Sequence, residues 1–342
     1  MTPLTISKKS NPETEMSGMN QLGLKTKFPV VAGLVLLLAL VPLLHLSLGG
    51  FGYWLHMLLY TFMYIAMASA WNIIGGFAGY ISLGHNVFFA VGGYFSAVLL
   101  VYFDISPFLT TPLAGLAAMV LGIVFGLISL RTRGPAFIIS TIALTMVIKI
   151  AFDNWDYIGG SNGISLPLSS LSNEVVKIPF YFAFYAIALV TVYSSYRIRH
   201  SKFGLGLRAI AQDEMKAELA GIQTRQYKIM AFGLSGFFVG MTGAIWGDYL
   251  TFLRPTIFLS ILVAAKLVLM TVLGGKGTVS GPVLGAILFI LINEFFVTVL
   301  GGSELNIVAT GLLLAVVLLF FPKGIVGTLK DKGLLPQFLD WG

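Results

Sequence analysis

From Phe28 to Phe103 the chain carries no Asp, Glu, Lys or Arg, and apolar runs bounded by charge, glycine or proline recur along the rest of its length. A helix needs about 20 apolar residues to cross the hydrocarbon core of a bilayer. The runs therefore predict spans at 28 to 48, 53 to 74, 85 to 103, 108 to 130, 135 to 152, 178 to 197, 229 to 252, 256 to 274, 280 to 300 and 305 to 321. Pro112, Pro135, Pro179 and Pro282 fall near predicted helix starts, where a missing N–H costs little. The pattern predicts an all-α, polytopic integral membrane protein of about ten transmembrane helices, within a range of roughly eight to eleven.

Charge orients these spans. Cytosolic loops of membrane proteins are enriched in Lys and Arg, and a cytosolic N-terminus places 17 of the 21 basic residues on that side. The predicted outer loops hold only Lys177 and Arg254 and collect Asp104, Asp153, Asp156, Glu174, Asp248 and Glu304. Both termini are then cytosolic. Residues 1–27 read as a flexible polar leader, 28–322 as the transmembrane domain and 323–342 as a cytosolic tail.

Composition agrees. The chain of 342 residues is 57% hydrophobic and only 10% charged, against roughly a quarter charged in soluble domains. The net charge of +7 follows from basic residues in loops on one side, which suits topology and not nucleic acid. With no cysteine, disulfides, thiol catalysis and cysteine metal sites are excluded.

Two uncharged, glycine-rich stretches interrupt the helical pattern. Residues 75–84 (Gly75-Gly76-Phe77-Ala78-Gly79-Tyr80-Ile81-Ser82-Leu83-Gly84) read either as a broken or re-entrant segment or as a tight turn with close helix packing. A shorter echo, Gly274-Gly275-Lys276-Gly277-Thr278-Val279-Ser280-Gly281, also leads into a span. Matched glycine-interrupted segments can mark the two halves of a transporter. Gly79, Ser82, Gly84, His85, Gly277 and Ser280 are thus pathway or structural candidates. Lys149, Lys266 and Glu294 fall inside predicted spans. Intramembrane charge normally faces a cavity or a partner, so Lys266 and Glu294 are expected to neutralise each other or to line the pathway, whereas Lys149 can snorkel to the outer surface.

The 32 residues from Arg197 to Lys228 carry ten charges. Within them Leu207, Ile210, Ala211, Met215, Leu219 and Ile222 recur at helical spacing, predicting one short amphipathic helix. Gly204 and Gly206 would loosen its entry, and Gly221 suits the left-handed position after its last turn. A helix this short needs a surface to lie on. The acidic Asp213, Glu214 and Glu218 favour a protein surface over anionic lipid.

Catalytic signals are absent. No Gly-x-x-x-x-Gly-Lys-Ser/Thr occurs, and His45, His56, His85 and His200 are scattered without metal-ligand spacing. No resident cofactor, metal or enzyme activity is expected. His85, which follows the glycine-rich stretch, is expected to make a hydrogen bond to backbone at a helix end.

Five stretches in this order resemble the membrane-spanning permease subunits of ABC importers for branched-chain and other hydrophobic amino acids, of the LivM type. They are Gly79 to His85 with Phe88-Phe89 and Gly92-Gly93-Tyr94, Arg131-Thr132-Arg133-Gly134-Pro135, Gly159-Gly160-Ser161-Asn162-Gly163-Ile164, the loop Phe203 to Lys228, and Leu273 to Pro282. The resemblance runs from about residue 53 to 329. It implies a bacterial inner-membrane protein that works by alternating access. It further implies two cytosolic ATPases that use ATP and Mg, a second homologous permease and a periplasmic solute-binding protein as partners. The stretch 204–222 would be the helix docking on the ATPase, through Leu207, Arg208, Ile210, Asp213, Glu214, Met215, Glu218 and Gly221, although Ala217-Glu218-Leu219-Ala220-Gly221 matches the wider importer pattern only loosely. The outer loop 153–177 would receive the binding protein. Similar permeases carry leucine-type and other neutral amino acids, urea or short amides. A different class, an ion-coupled secondary transporter using Lys266 and Glu294, is the alternative from the residues alone.

Overall fold

The computed structural model describes residues 32–43, 52–167, 175–300 and 324–333, with single positions between 308 and 320. Helix α1 (Ala32–Leu43) is followed by α2 (Gly52–Asn72), α3 (His85–Phe103), α4 (Pro107–Ser129), α5 (Pro135–Asp153), α6 (Lys177–Arg199), α7 (Lys202–Gln212), α8 (Glu214–Leu219), α9 (Thr224–Leu250), α10 (Pro255–Phe258), α11 (Ile261–Gly274), α12 (Ser280–Leu300) and α13 (Gly324–Asp331). Among the described residues eight helical segments are long and apolar enough to cross a membrane, and they coincide with the second to ninth predicted spans. The leader and most of span 305–321 lie outside the described residues.

Proline opens α4, α5 and α10, as its fixed φ and missing N–H allow. Pro112 differs from expectation, lying inside α4. Helix α9 packs along α3 and α4. The approach is close: a Cβ added to Gly92 would sit 2.0 Å from the Gly240 carbonyl oxygen. In lipid, such small-residue contacts supply the packing that apolar burial cannot. The outward faces of α4 and α5, with Val120, Ile128, Ile139 and Val147 exposed, suit contact with acyl chains.

Contacts between helix ends fix the directions. Tyr53 in the first turn of α2 reaches Glu294 late in α12, while Asn72 at the end of α2 reaches Thr278 just before α12. These two helices are antiparallel. The end of α4 meets the start of α9 through Leu130 and Lys228. The bundle thus has a loop end, carrying α7 and α8, and a far end.

At the far end the predicted outer loop folds back on the bundle. Strand β1 (Ile164–Ser165) pairs antiparallel with β2 (Phe252–Leu253), with Ile164 opposite Leu253. Tyr157 stacks on Tyr102 with ring centroids 4.4 Å apart. Residues 168–174 of that loop lie outside the described residues.

The helical pattern breaks where residues 75–84 predicted trouble, and also where nothing did. After Asn72 the chain forms a π-helical turn (Ile73–Phe77), then irregular backbone until α3 starts at His85. The predicted span 256–274 is in two pieces, α10 and α11, separated at Leu259 and Ser260.

Candidate functional site

The two glycine-rich stretches lie against each other. The Gly277 N–H donates to Asn72 Oδ1 (2.9 Å) and Asn72 Nδ2 donates to the Thr278 carbonyl (2.8 Å). A Cβ on Gly76 would lie 2.6 Å from the Gly277 nitrogen. Arg199, at the end of α6, donates to the Gly277 carbonyl and lies 6.0 Å from the Phe77 ring centroid. Sequence reasoning found both stretches but not Asn72 or Arg199.

Beyond the π-turn the irregular backbone is held by buried polar side chains. Trp71 Nε1 donates to the Ser82 carbonyl (2.8 Å), and the Leu83 N–H donates to Thr141 Oγ1 (3.2 Å). His85 is buried, with Nδ1 3.1 Å from Ser82 Oγ and Nε2 2.8 Å from Ser235 Oγ. Its partners are thus two hydroxyls, not the backbone expected of it. Ser235 in turn donates to the Ala70 carbonyl (2.7 Å). Asn86 spans to the second break: its Nδ2 donates to the Leu259 and Ser260 carbonyls at 3.0 and 3.2 Å. Thr145 Oγ1 donates to Asn86 Oδ1 (3.1 Å). Non-helical backbone at membrane depth requires such cover, because unpaired peptide groups there are costly.

At the loop end the predicted single helix is two. Helix α7 begins at Lys202, capped by Ser201 Oγ, which accepts from the Gly204 N–H (3.1 Å). Gly204 and Gly206 are inside α7 and serve close packing, against the Ile198 carbonyl and the Tyr227 ring. The helix stops at Asp213, whose side chain accepts from the Lys216 N–H (3.1 Å) and so starts α8. An Asp that caps the next helix satisfies its N–H groups better than one continuing the first. Gly221 has φ +84°, as its place predicts.

Between α8 and the bundle sits a buried ion pair. Lys228 Nζ is 2.5 Å from Glu214 Oε1, and their side chains are 4% and 10% exposed. Tyr80 donates its hydroxyl proton to Glu214 Oε2, and Lys228 donates to the Tyr80 hydroxyl (3.1 Å) and the Leu130 carbonyl (3.4 Å). Arg133 Nε lies 3.2 Å from Glu214 Oε2. Burial alone would raise the Glu214 pKa. The hydrogen bonds from Lys228 and Tyr80 and the charges of Lys228 and Arg133 outweigh it and hold the carboxyl below its usual range. Burial, then the Glu214 contact, pushes the Tyr80 hydroxyl well up. The cluster borders an open notch of about 290 Å³, also lined by Arg131, Glu218, Thr224 and Arg225.

This placement corrects several expectations for the loop. Leu207 and Ile210 are buried against the chain's own bundle, and Glu214 points inward. Arg208 is half-buried in α7, and its Nε is buried with no hydrogen-bond partner. Met215 and Leu219 are exposed, at 65% and 84%, as is Leu205 in α7. Glu218 is half-exposed and accepts from Thr224 Oγ1 (2.7 Å). The apolar periodicity was sound, but one part of it faces inward and another outward because the chain turns at Asp213.

Lys266 and Glu294 are not paired with each other. Glu294 accepts from the Tyr53 hydroxyl (2.5 Å), and the described residues hold no ion pair to Lys266. At ~1.5 Å per residue, their offsets from the turn joining α11 and α12 put them about 9 Å apart along the bundle. Ser280 is buried at the start of α12.

Comparisons with known proteins follow the same outline. Residues 53–321 match the family model described as "Branched-chain amino acid transport system / permease component". The chain is 27% identical over 295 residues to the high-affinity branched-chain amino acid transport system permease protein LivM of Escherichia coli K12, covering 78% of this chain and 68% of that protein. It is 24% identical over 288 residues to LivH of Salmonella typhimurium (77% and 91%), and 26% identical over 231 residues to the ribose import permease protein RbsC of Haemophilus influenzae (65% and 71%). No solved structure matches. An all-helical membrane bundle whose matched region takes in both glycine-rich stretches and the charged loop belongs to the branched-chain amino acid transport permease family.

Proposed function

We propose that this chain forms half of the translocation path of an ATP-driven importer for branched-chain or other neutral amino acids in the bacterial inner membrane. Its loop end faces the cytosol and docks two ATPase subunits. A second permease completes the path, and a periplasmic binding protein delivers solute at the far end, where β1 and β2 fold the outer loop onto the bundle.

One observation carries this reading. Helices α7 and α8 form a hairpin that is tied into the bundle at its turn through Glu214 and Lys228 while Met215 and Leu219 stand exposed at its surface. Exposed apolar side chains on an anchored, charge-lined element suit a soluble partner's groove. The chain has no nucleotide-binding loop of its own, so the ATPase is a separate chain.

Among the described residues Lys266 and Glu294 form no ion pair, so no observed contact supports the ion-coupled alternative. Substrate choice is carried chiefly by the binding protein. A relative named for ribose reaches 26% identity over 231 residues, against 27% over 295 for LivM, so percentage identity alone is a weak reporter of solute, and urea or a short amide is the second reading.

The test is mass spectrometry of what co-purifies with the tagged chain from its native membrane in mild detergent, beside a variant carrying Met215→Asp and Leu219→Asp. Two Walker-type ATPases and a second permease are expected with the wild type, and the ATPases should be lost with the variant. A chain that purifies alone and moves solute without ATP contradicts the proposal.

A further inference from the structure

The Glu214 carboxylate touches side chains from three other parts of the fold. Lys228 comes from α9, Tyr80 from the irregular backbone after the π-turn, and Arg133 from the loop between α4 and α5. Lys228 adds the end of α4 through the carbonyl of Leu130, which caps that helix. Beside this cluster a second contact joins the same two elements: a Cβ on Gly79 would stand 3.4 Å from the Ala211 Cβ of α7. From Tyr80 the irregular backbone leads directly to Ser82 and to His85, which bonds Ser82 and reaches Ser235 within α9. The loop hairpin and the unwound start of the α3 crossing therefore share one set of contacts, with a buried ion pair at its centre.

We infer that Glu214, clasped by Lys228 and Tyr80, is a strut that makes the α7–α8 hairpin and residues 78–84 move as one body, so that a force applied to the hairpin reaches the unwound crossing. This rests on the reading of the loop as the ATPase-docking element. Glu214 is then a positioning residue facing its own chain, and the partner-facing role falls to its exposed neighbours on α8. A buried pair suits this task because the hairpin cannot leave the crossing without taking the carboxylate away from Lys228, whose side chain is only 4% exposed. The aromatic face of Tyr80, 4.7 Å from Lys228 Nζ, adds a cation–π contact to the same junction.

The experiment compares wild type with Glu214→Gln, the pair Glu214→Met with Lys228→Met, the reversed pair Glu214→Lys with Lys228→Glu, and Tyr80→Phe. Each is assembled with its co-encoded partners in lipid vesicles, and assembly, ATP hydrolysis and leucine uptake are measured together. In assembled complexes, uptake per ATP hydrolysed should fall at least about tenfold in Glu214→Gln and in the methionine pair, and recover to at least about a third of wild type in the reversed pair. A merely structural role would lower the amount of complex and leave that ratio alone. Should the charge variants fail to assemble, Tyr80→Phe, which keeps its ring packed on Phe137, should still lower the ratio about threefold. An assembled methionine pair or Tyr80→Phe variant working at the wild-type ratio overturns the strut.

Amide hydrogen exchange in the full-length chain separates this from failure of the importer reading. Exchange at residues 78–84 should quicken at least about tenfold in Glu214→Gln whether or not ATP drives transport. Unchanged exchange there overturns the strut by itself. A wild-type complex without ATP-linked uptake overturns only the importer reading.

Discussion

Asn72 and Gly277 are 205 residues apart in the chain and joined by a 2.9 Å hydrogen bond from the Gly277 N–H to the Asn72 side-chain oxygen. With the Asn72 amide donating to the Thr278 carbonyl, one side chain satisfies a donor and an acceptor of this turn, beside the turn's own bond from the Thr278 hydroxyl to the Gly275 carbonyl. Asn72→Leu should leave both unsatisfied, at about 1–3 kcal/mol for each buried group. Thermal unfolding in detergent should show the loss. Asn72→Asp keeps an acceptor for Gly277 but sets a buried carboxylate oxygen against the Thr278 carbonyl, and should lose no less.

The seam between α3 and α9 is equally intolerant of bulk. Gly92→Ala places a methyl group 2.0 Å from a backbone oxygen of Gly240, an atom that cannot rotate away. Overpacking of this kind costs about 1–3 kcal/mol, so a lowered unfolding temperature is expected. Gly33→Ala in α1, with nothing within 4 Å of the new methyl, is the control and should be neutral.

Leucines on the loop hairpin divide by direction. Leu207→Asp buries a carboxylate in the bundle, because Leu207 is fully buried, and should prevent stable folding. Leu219→Asp sits at an 84% exposed position and should change stability by no more than about 0.5 kcal/mol while weakening partner binding. Unfolding curves of the two variants, measured side by side, check this.

Acid sensitivity follows from Glu214. Its pKa in the folded chain lies below its ordinary value, so its stabilisation is fully present above the unfolded pKa of about 4.3 and is lost as pH falls through the folded value. Protection of residues 78–84 from hydrogen exchange, corrected for intrinsic rates, should therefore be flat from about pH 5 to 8 and fall only in stronger acid. A loss of protection centred near pH 6 would mean another group controls the junction.

The sequence made the helical bundle legible because lipid imposes a simple rule, a long apolar run for every crossing, and the predicted spans from 53 to 300 recur as helices. Charge is a poor boundary marker where it is buried with a partner. Span seven was expected to begin at residue 229, yet α9 begins at Thr224, because Lys228 is neutralised by Glu214 within the bundle. The break at Leu259 and Ser260 carries no glycine; it is stabilised by Asn86, 173 residues away from Leu259. Likewise the roles of Glu214 and His85 depend on Tyr80, Lys228 and Ser235, which no local spacing connects to them. What could have pointed to Lys228 is its place four residues after the Thr224 that opens α9 and beside the apolar Ile229.

The most direct measurement is uptake of radiolabelled leucine by inside-out and right-side-out vesicles containing the full complex, with and without ATP on the side of the α7–α8 hairpin, for wild type and Leu219→Asp. Uptake that requires ATP on that side, and is lost in Leu219→Asp while the chain's unfolding temperature is unchanged, is the predicted result. Uptake that proceeds without ATP, or that survives in the variant at the wild-type rate, would contradict the account of this chain as an importer permease driven through its charged loop.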